Sequence, residues 1–298
     1  MKNILIIGCG LLGSSLLRRI QKKKIAKKIY IYEKSKSNIL KIKKLKLPGI
    51  VVNKLQEGVI NADLIILCTP MSEYKNLIQK MNKFLSPKTI ITDIGSSKLE
   101  SSKIIKRFLR KDIFWTSSHP IAGSEVSGPE HGRHDLFENK WCILIKDKKT
   151  NKGNLVFLNK FWKKIGSKVV SMTSEKHDKI FSITSHLPHL IAYNLVKSAQ
   201  DFEKKQNYDL IKYSAGGLRD FSRIAASNEI MWRDIFFNNK KNMSNAIDLF
   251  IKNLNSFKKD INLKNNKSIL QKLIRTKKVR SKIIKLKQDI NKPDFGRS

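Results

Sequence analysis

A glycine-rich turn near the start of the chain constrains the fold more than any other feature of the sequence. The apolar run Lys2–Gly8 has the length and composition of a strand buried on both faces of a parallel sheet. It leads into Gly8-Cys-Gly10-Leu-Leu-Gly13, then into a segment with helical spacing, and then into a second strand, Lys28–Tyr32. A strand, a G-x-G-x-x-G turn, a helix and a second strand in this order form the βαβ unit that binds a dinucleotide.

Each part of this turn has a distinct predicted role. Gly8 permits the sharp turn off the strand, Gly10 lets the backbone approach a pyrophosphate, and Gly13 allows the helix to pack closely on the sheet. The backbone N–H groups at the start of the helix, where Leu11 and Leu12 lie, point toward the phosphates. We therefore predict that all five residues bind the cofactor.

An acidic residue ends the second strand and indicates which dinucleotide binds. Glu33 is placed to accept hydrogen bonds from the ribose hydroxyls of the adenosine, which favours NAD. Lys34 and Lys36 are the alternative, since they would hold the 2′-phosphate of NADP.

Two further apolar runs, at 62–70 and 88–95, are predicted to be strands of the same sheet. Ligands of an open α/β sheet collect at the carboxyl ends of its strands. The residues at these two ends are therefore expected to border the cofactor: Thr69, Pro70, Gly95, Ser96 and Ser97.

The chain divides into two parts of different character. Leu155–Ile165 has a helical pattern and Lys168–Met172 has strand character, so the first domain is predicted to end at Thr173. Beyond it, helical periodicity extends from Glu175 to Lys287. We predict an α/β Rossmann dinucleotide-binding domain over residues 1–173 and an all-helical domain over residues 174–298.

The net charge of +37, from 61 Lys and Arg against 24 Asp and Glu, suggests a nucleic-acid partner at first sight. The excess lies in scattered lysine runs without interleaved aromatic residues, which favours a lysine-rich solvated surface, with an acidic partner as the alternative. No apolar run is long enough for a membrane span and no secretory signal is apparent. Cys9, Cys68 and Cys142 have no paired spacing that would support a disulfide or a zinc site. We expect a cytoplasmic protein with no metal, membrane or nucleic-acid partner.

Two histidine-containing stretches are candidates for chemistry. His119 follows a short strand, and histidine suits proton removal during a hydride transfer because its charge changes near neutral pH. The alternative is a histidine that only satisfies backbone groups of the loop. His186 and His189 are neighbours on one helical face, whereas His177 falls on a different side of the helix. This spacing could suggest a metal site, but no matching carboxylate or third histidine stands at helical spacing, which favours a polar substrate contact or a structural role.

A third stretch carries two arginines at helical spacing. Arg219 and Arg223 are four residues apart with Asp220 alongside, and the planar guanidinium group binds carboxylates bidentately. The helix is therefore a candidate site for an anionic substrate, with a solvated charge pattern as the alternative.

Several motifs, in this order, resemble those of the prephenate/arogenate dehydrogenase family. They are Gly8–Gly13, Thr92–Ser96, His119–Gly123, Ser185–His189 and Gly216–Arg223. The chain end, at Thr276–Arg280 and Pro293–Arg297, resembles the cyclohexadienyl dehydrogenase branch. The resemblance covers nearly the whole chain and implies a Rossmann domain, a helical dimerisation domain, a homodimer and a role in tyrosine biosynthesis.

The reaction that this resemblance implies is NAD-dependent oxidative decarboxylation, of prephenate to 4-hydroxyphenylpyruvate, of arogenate to tyrosine, or of both. His119 matches the histidine that helps to remove the proton of the C4 hydroxyl, and Ser96 matches the serine that orients this hydroxyl. These two residues are the predicted catalytic pair.

The resemblance also implies a set of substrate-binding residues. Arg223 matches the arginine that binds the substrate carboxylate, and His189 matches a second histidine in the pocket, beside His186. Glu125 and Asp220 match acids that form an ion-pair network with this arginine and control access. Arg219 stands where some relatives carry lysine, and Glu33 stands where many carry aspartate.

Two alternatives to this function are retained. One is a 3-hydroxyacid or imine reductase with the same plan of a Rossmann domain followed by a helical domain. The other, from a different class, is a basic protein that binds nucleic acid or a membrane surface.

Overall fold

The first part of the chain alternates strands and helices, as the α/β prediction requires. The structure is a computed structural model that describes residues 3–207, 209–286 and 288. Its first ten strands and α-helices are β1 (Asn3–Ile7), α1 (Leu11–Lys22), β2 (Lys28–Tyr32), α2 (Lys36–Lys44), β3 (Ile50–Val51), α3 (Leu55–Asn61), β4 (Leu64–Leu67), α4 (Tyr74–Met81), β5 (Ile90–Asp93) and α5 (Leu99–Phe108). The five strands form one parallel sheet in the order β3-β2-β1-β4-β5.

The central strands of this sheet are buried on both faces. Ile4, Leu5 and Ile6 are fully inaccessible to solvent, as are all four residues of β4. Leu5 and Ile7 pack into one hydrophobic cluster with helices α3 and α4, while Ile4 and Ile6 pack into another with α1. This two-sided burial explains why these strands are continuous apolar runs rather than alternating patterns.

A second, smaller sheet follows the first. It contains β6 (Ser118–Pro120), β7 (Trp141–Ile145) and β8 (Lys168–Met172), with helix α6 (Lys152–Ile165) between β7 and β8. β7 pairs antiparallel with β6 and parallel with β8. The hydroxyls of Thr92 on β5 and Ser118 on β6 are 3.0 Å apart, which ties the start of β6 to the end of the large sheet.

The described residues beyond 173 are helical and contain no strand, as predicted from their periodicity. The helices are α7 (Ser174–Phe181), α8 (Leu187–Gln206), α9 (Gly216–Ile224), α10 (Glu229–Asn238), α11 (Lys240–Asn262) and α12 (Asn266–Lys285). A π-helical turn, Ser182–His186, joins α7 to α8. The motif at Pro293–Arg297 lies outside the described residues. Among the helices that are described, none is both long and apolar enough to cross a membrane.

Candidate active site

The glycine-rich turn leaves space in front of the first residues of helix α1. Gly8 has a φ of +90°, and a Cβ at Gly13 would lie 2.1 Å from the carbonyl oxygen of Gly8. A Cβ at Gly10, in contrast, would meet no atom within 4 Å. Gly10 is the N-cap of α1 and no side chain caps this helix. The turn is therefore compressed where the helix packs and open where a pyrophosphate would approach.

Glu33 lies directly over this turn. Its Oε2 accepts a hydrogen bond from the N–H of Cys9 at 2.8 Å, and its Oε1 accepts one from the N–H of Ser35 at 2.9 Å. Lys34, the neighbouring candidate for a 2′-phosphate, forms an ion pair with Glu73. The carboxylate is thus fixed beside the predicted ribose position, while one of the two lysines has a partner elsewhere.

The ends of β4 and β5 border the same crevice. The Oγ1 of Thr69, after β4, is buried and has no hydrogen-bond partner, and its methyl group lies 2.9 Å from the position of a Cβ at Gly8. A buried polar atom without a partner beside the phosphate-binding turn fits a ligand that supplies that partner. The residues of this chain therefore fit a dinucleotide. Pro70 is exposed, and Gly95 and Ser96 are half-buried after β5.

A buried ion pair fixes the backbone that leads from β5 into the site. The Nζ of Lys98 lies 2.8 Å from Oδ2 of Asp93, and both side chains are fully inaccessible to solvent. Lys98 also donates to the carbonyl oxygen of Ser118 at 2.6 Å. Burial lowers the pKa of Lys98, and the nearby Asp93 carboxylate partly offsets this effect. Because the pair spans β5, the following turn and β6, it holds these segments together.

His119 occupies the centre of β6 and is buried, with only 7% of its surface exposed. Its Nδ1 lies 2.7 Å from Nε2 of His177 on helix α7. Burial, followed by the nearby His177 and the charge of Lys98, lowers the pKa of His119 well below its usual value. His119 is therefore a neutral imidazole at pH 7, which is the form that accepts a proton.

The acidic neighbour of His177 connects the two parts of the chain. Nδ1 of His177 lies 2.8 Å from Oδ1 of Asp178. Asp178 also accepts hydrogen bonds from the backbone N–H groups of Lys98 and Leu99, each at 2.8 Å, on separate oxygens. These two N–H groups lie at the start of α5, which has no side-chain cap from its own segment. Asp178, from the helical part of the chain, thus caps helix α5 of the α/β part.

His186 and His189 lie close together but in different environments. His186 is fully buried, its Nδ1 is 3.2 Å from Nδ2 of Asn239, and its Nε2 is a buried atom without a partner. Burial lowers the pKa of His186 to about 4. His189 is half-buried, and its ring stacks on Trp232 with 3.8 Å between ring centres.

The prediction that His177 lies on a different side of the helix from His186 assumed a regular α-helix, and the chain between the two residues is not one. Nine residues of α-helix turn about 180° beyond whole turns, which places the two side chains on opposite faces. The π-helical turn Ser182–His186 changes this phase. His186 is connected to the Asp178 backbone through Asn239, which donates to both the carbonyl oxygen of Asp178 and Nδ1 of His186.

The two arginines of the predicted substrate site, Arg219 and Arg223, are exposed on helix α9. Arg223 on α9 forms an ion pair with Glu125 at 2.9 Å. Burial, and to a smaller extent the positive charge of Arg223, lowers the pKa of His189, while the hydrogen bond with the Ser185 backbone raises it. Arg219 and Asp220 are exposed, and within the described part of the chain neither side chain forms an ion pair. The structure therefore places Glu125, Arg223 and His189 near one another and leaves Arg219 and Asp220 without such contacts.

The sequence interpretation did not identify three residues of this cluster: His177, Asp178 and Lys98. An adjacent His-Asp pair at the start of a helix is the one local signal for the first two. Lys98 is one of 61 basic residues, and no pattern in the sequence distinguishes it. Across the described ranges, no group of three or more His, Cys, Asp or Glu side chains is arranged to hold a metal ion.

Comparison with known families decides what this architecture is. The model of the prephenate dehydrogenase nucleotide-binding domain matches residues 16–171, and the model of the prephenate dehydrogenase dimerization domain matches residues 173–278. The chain belongs to the prephenate dehydrogenase family. This confirms the family that the ordered motifs indicate.

Individual members of the family are similar over most of their length. Cyclohexadienyl dehydrogenase of Zymomonas mobilis is 33% identical over 279 residues, which cover 94% of this chain and 95% of that protein. Prephenate dehydrogenase of Bacillus subtilis is 31% identical over 86% of this chain and 69% of its own. The structure of Aquifex aeolicus prephenate dehydrogenase in complex with hydroxyphenyl propionate and NAD+ has a TM-score of 0.88 and 34% identity, covering 95% of this chain and 98% of that one.

Proposed function

We propose that this protein catalyses the NAD-dependent oxidative decarboxylation of prephenate, arogenate or both. The observation that carries the proposal is His119, which is buried and neutral and lies on β6, the strand whose start is tied to the end of β5. The family membership supplies the substrate class. The alternative of a 3-hydroxyacid or imine reductase lacks an observation that favours it.

The cofactor would be held by the N-terminus of α1, Gly10, Glu33 and the end of β4. NAD supplies the acceptor for the hydride that leaves C4 of the substrate ring. Glu33 favours NAD over NADP, because its carboxylate would repel a 2′-phosphate, and Lys34 is paired with Glu73.

His119 moves the proton of the reaction. Its Nε2 accepts the proton of the C4 hydroxyl as the hydride leaves C4 and the carbon–oxygen bond gains double-bond character. When the bond between the ring and its carboxylate breaks, carbon dioxide leaves and the ring becomes aromatic. The phenolate oxygen then takes the proton back from His119, so the overall reaction releases no proton.

The remaining residues orient the substrate. Ser96 is half-buried after β5, and its hydroxyl would orient the C4 hydroxyl of the substrate. Arg223 binds a substrate carboxylate, with His189 beside it. Its ion pair with Glu125 must then rearrange, which gives this pair control over access.

We also infer that the functional unit is a homodimer formed through the helical domain. Helices α11 and α12 expose large apolar side chains, including Leu254 at 56%, Ile261 at 62% and Leu273 at 50%. Burying such a face is favourable at roughly 25 cal/mol per Å² of apolar surface. Light scattering after gel filtration should give twice the chain mass of 34.3 kDa, and a particle of 34.3 kDa would refute the dimer.

One assay tests the activity. Purified protein is mixed with prephenate or arogenate and with NAD or NADP, and reduction of the nicotinamide is followed at each pairing. We expect NADH with at least one substrate. Absence of reduction in all four mixtures would refute the function.

The variant His119→Asn tests the assigned base. It should lower kcat by about 10²–10⁴-fold, since a general base contributes that much, while NAD still binds. His134→Asn is the matched control, because His134 lies at the surface near Lys22 and should leave kcat unchanged.

A further inference from the structure

Three buried side chains form a continuous line that ends at His119. Oδ1 of Asp178 is 2.8 Å from Nδ1 of His177, and Nε2 of His177 is 2.7 Å from Nδ1 of His119. His177 is fully buried and its Asp178 partner is 1% exposed. The ring of Phe181 packs against both histidines, with ring centres 4.5 Å from His177 and 5.1 Å from His119, and so keeps water away from the line.

The positions of the protons along this line follow from its acidic end. Both oxygens of Asp178 accept backbone N–H groups, so Asp178 is the acceptor toward His177 as well, and Nδ1 of His177 carries a proton. Burial lowers the pKa of His177, which keeps the ring neutral at pH 7. A neutral imidazole carries one proton, so Nε2 of His177 is an acceptor.

The same reasoning fixes His119. Its Nδ1 faces an acceptor and must carry the proton, which leaves a lone pair on Nε2. In the opposite tautomer, two lone pairs would face each other at 2.7 Å and Nε2 would be unable to accept a proton. The hydrogen-bond line thus selects the one neutral form of His119 that acts as a base.

We propose that His177 and Asp178 are positioning residues that fix the tautomer of His119 and keep its Nε2 available for the proton of the substrate hydroxyl. This inference rests on the proposed function for its role in turnover. When Nε2 takes the proton, Nδ1–H of His119 continues to donate to His177. The proton stays on His119 and returns to the phenolate, so His177 itself is not protonated in the cycle.

The first test reads the tautomer directly and needs no substrate. Long-range ¹H–¹⁵N correlation spectra of protein labelled in its six histidines distinguish a protonated ring nitrogen from an unprotonated one. Loss of a signal in His119→Asn assigns His119. We expect Nδ1 protonated and Nε2 unprotonated at pH 7; the reverse pattern in the unaltered protein would overturn the proposal.

The second test uses two substitutions at one position. His177→Leu removes the acceptor and should lower kcat by about 10²-fold with KM within about twofold, since the base is lost and substrate binding is not. His177→Gln offers an amide oxygen to Nδ1–H of His119 and should restore kcat to within about 10-fold of the unaltered protein. His134→Leu controls for loss of a histidine.

The outcomes separate the positioning role of His177 from the proposed function itself. A kcat for His177→Leu within twofold of the unaltered protein, with the fold intact by circular dichroism, would overturn the proposal. If His177→Leu does not fold, His177→Gln and the spectrum of the unaltered protein still decide it. If neither substrate is oxidised, the proposed function fails while the spectrum continues to test the tautomer.

Discussion

Replacing Lys98 with methionine should destabilise the protein strongly, because it leaves a buried carboxylate without its counter-ion. Asp93 accepts five hydrogen bonds, from Tyr74, Gly95, Ser117, Ser118 and Lys98, and only the last donor carries a charge. Both members of the ion pair are fully inaccessible to solvent. Removing one partner of such a pair costs about 3–5 kcal/mol of unfolding free energy.

The same substitution at Lys103 is the matched control. Lys103 is on α5, the helix whose N-cap is Lys98, and the side chains of Lys103 and its partner Glu100 are 62% and 46% exposed. Lys103→Met should therefore cost less than about 1 kcal/mol. Urea unfolding followed by circular dichroism measures both. In thermal unfolding, Lys98→Met should lower Tm by roughly 6–20 °C, from about 2–4 °C per kcal/mol for domains of this size.

A double variant shows whether the charge is the cause. Replacing Asp93 with asparagine in the Lys98→Met background removes the unpaired charge and should recover part of the loss, giving a coupling free energy of at least about 1 kcal/mol. The reasoning is refuted if Lys98→Met is no more destabilising than Lys103→Met, or if the double variant loses the sum of the two single losses.

Two further predictions concern the glycine-rich turn and the histidine cluster. Gly10→Ala should leave Tm unchanged but weaken NAD binding measured by calorimetry, because its Cβ enters the open space before the helix. Gly13→Ala should lower Tm, because its Cβ would lie 2.1 Å from the Gly8 carbonyl oxygen. Equal effects of the two substitutions on Tm would contradict this. Between pH 6.5 and about 4, His186 binds a proton in the unfolded chain but not in the folded one, so the unfolding free energy should fall by up to about 3 kcal/mol as the pH falls through this window. His186→Gln should flatten this dependence in urea unfolding series, and an unchanged slope would exclude His186 as its source.

Much of the first domain is predictable because its signals are local. Gly8, Gly10 and Gly13 have a spacing that only one supersecondary unit explains, and the apolar runs on either side are long enough to define strands. The helical second part follows from periodicity in the same way. Such signals depend on neighbours within a few residues.

The cluster around His119 is not predictable in this way, because its contacts join residues far apart in the sequence. His177 meets His119 across 58 residues, and Asp178 meets Lys98 across 80. The π-helical turn adds a phase change that regular helical spacing does not anticipate. The burial of Lys98 depends on β5, the turn after β5 and β6 together. None of these segments has a sequence pattern that distinguishes Lys98 from the other lysines.

The hydrogen bonds from Lys98 and Leu99 to Asp178 bear on how this chain can be recombined with a relative. Helix α5 belongs to the nucleotide-binding part, yet the acceptor for its first turn comes from the helical part. A chimera that joins the first half of this chain to the second half of a relative therefore takes the helix start from one parent and the residue that caps it from the other. This one carboxylate therefore adds a constraint on exchange at the junction, because it must match a helix start that lies 79 residues earlier in the chain.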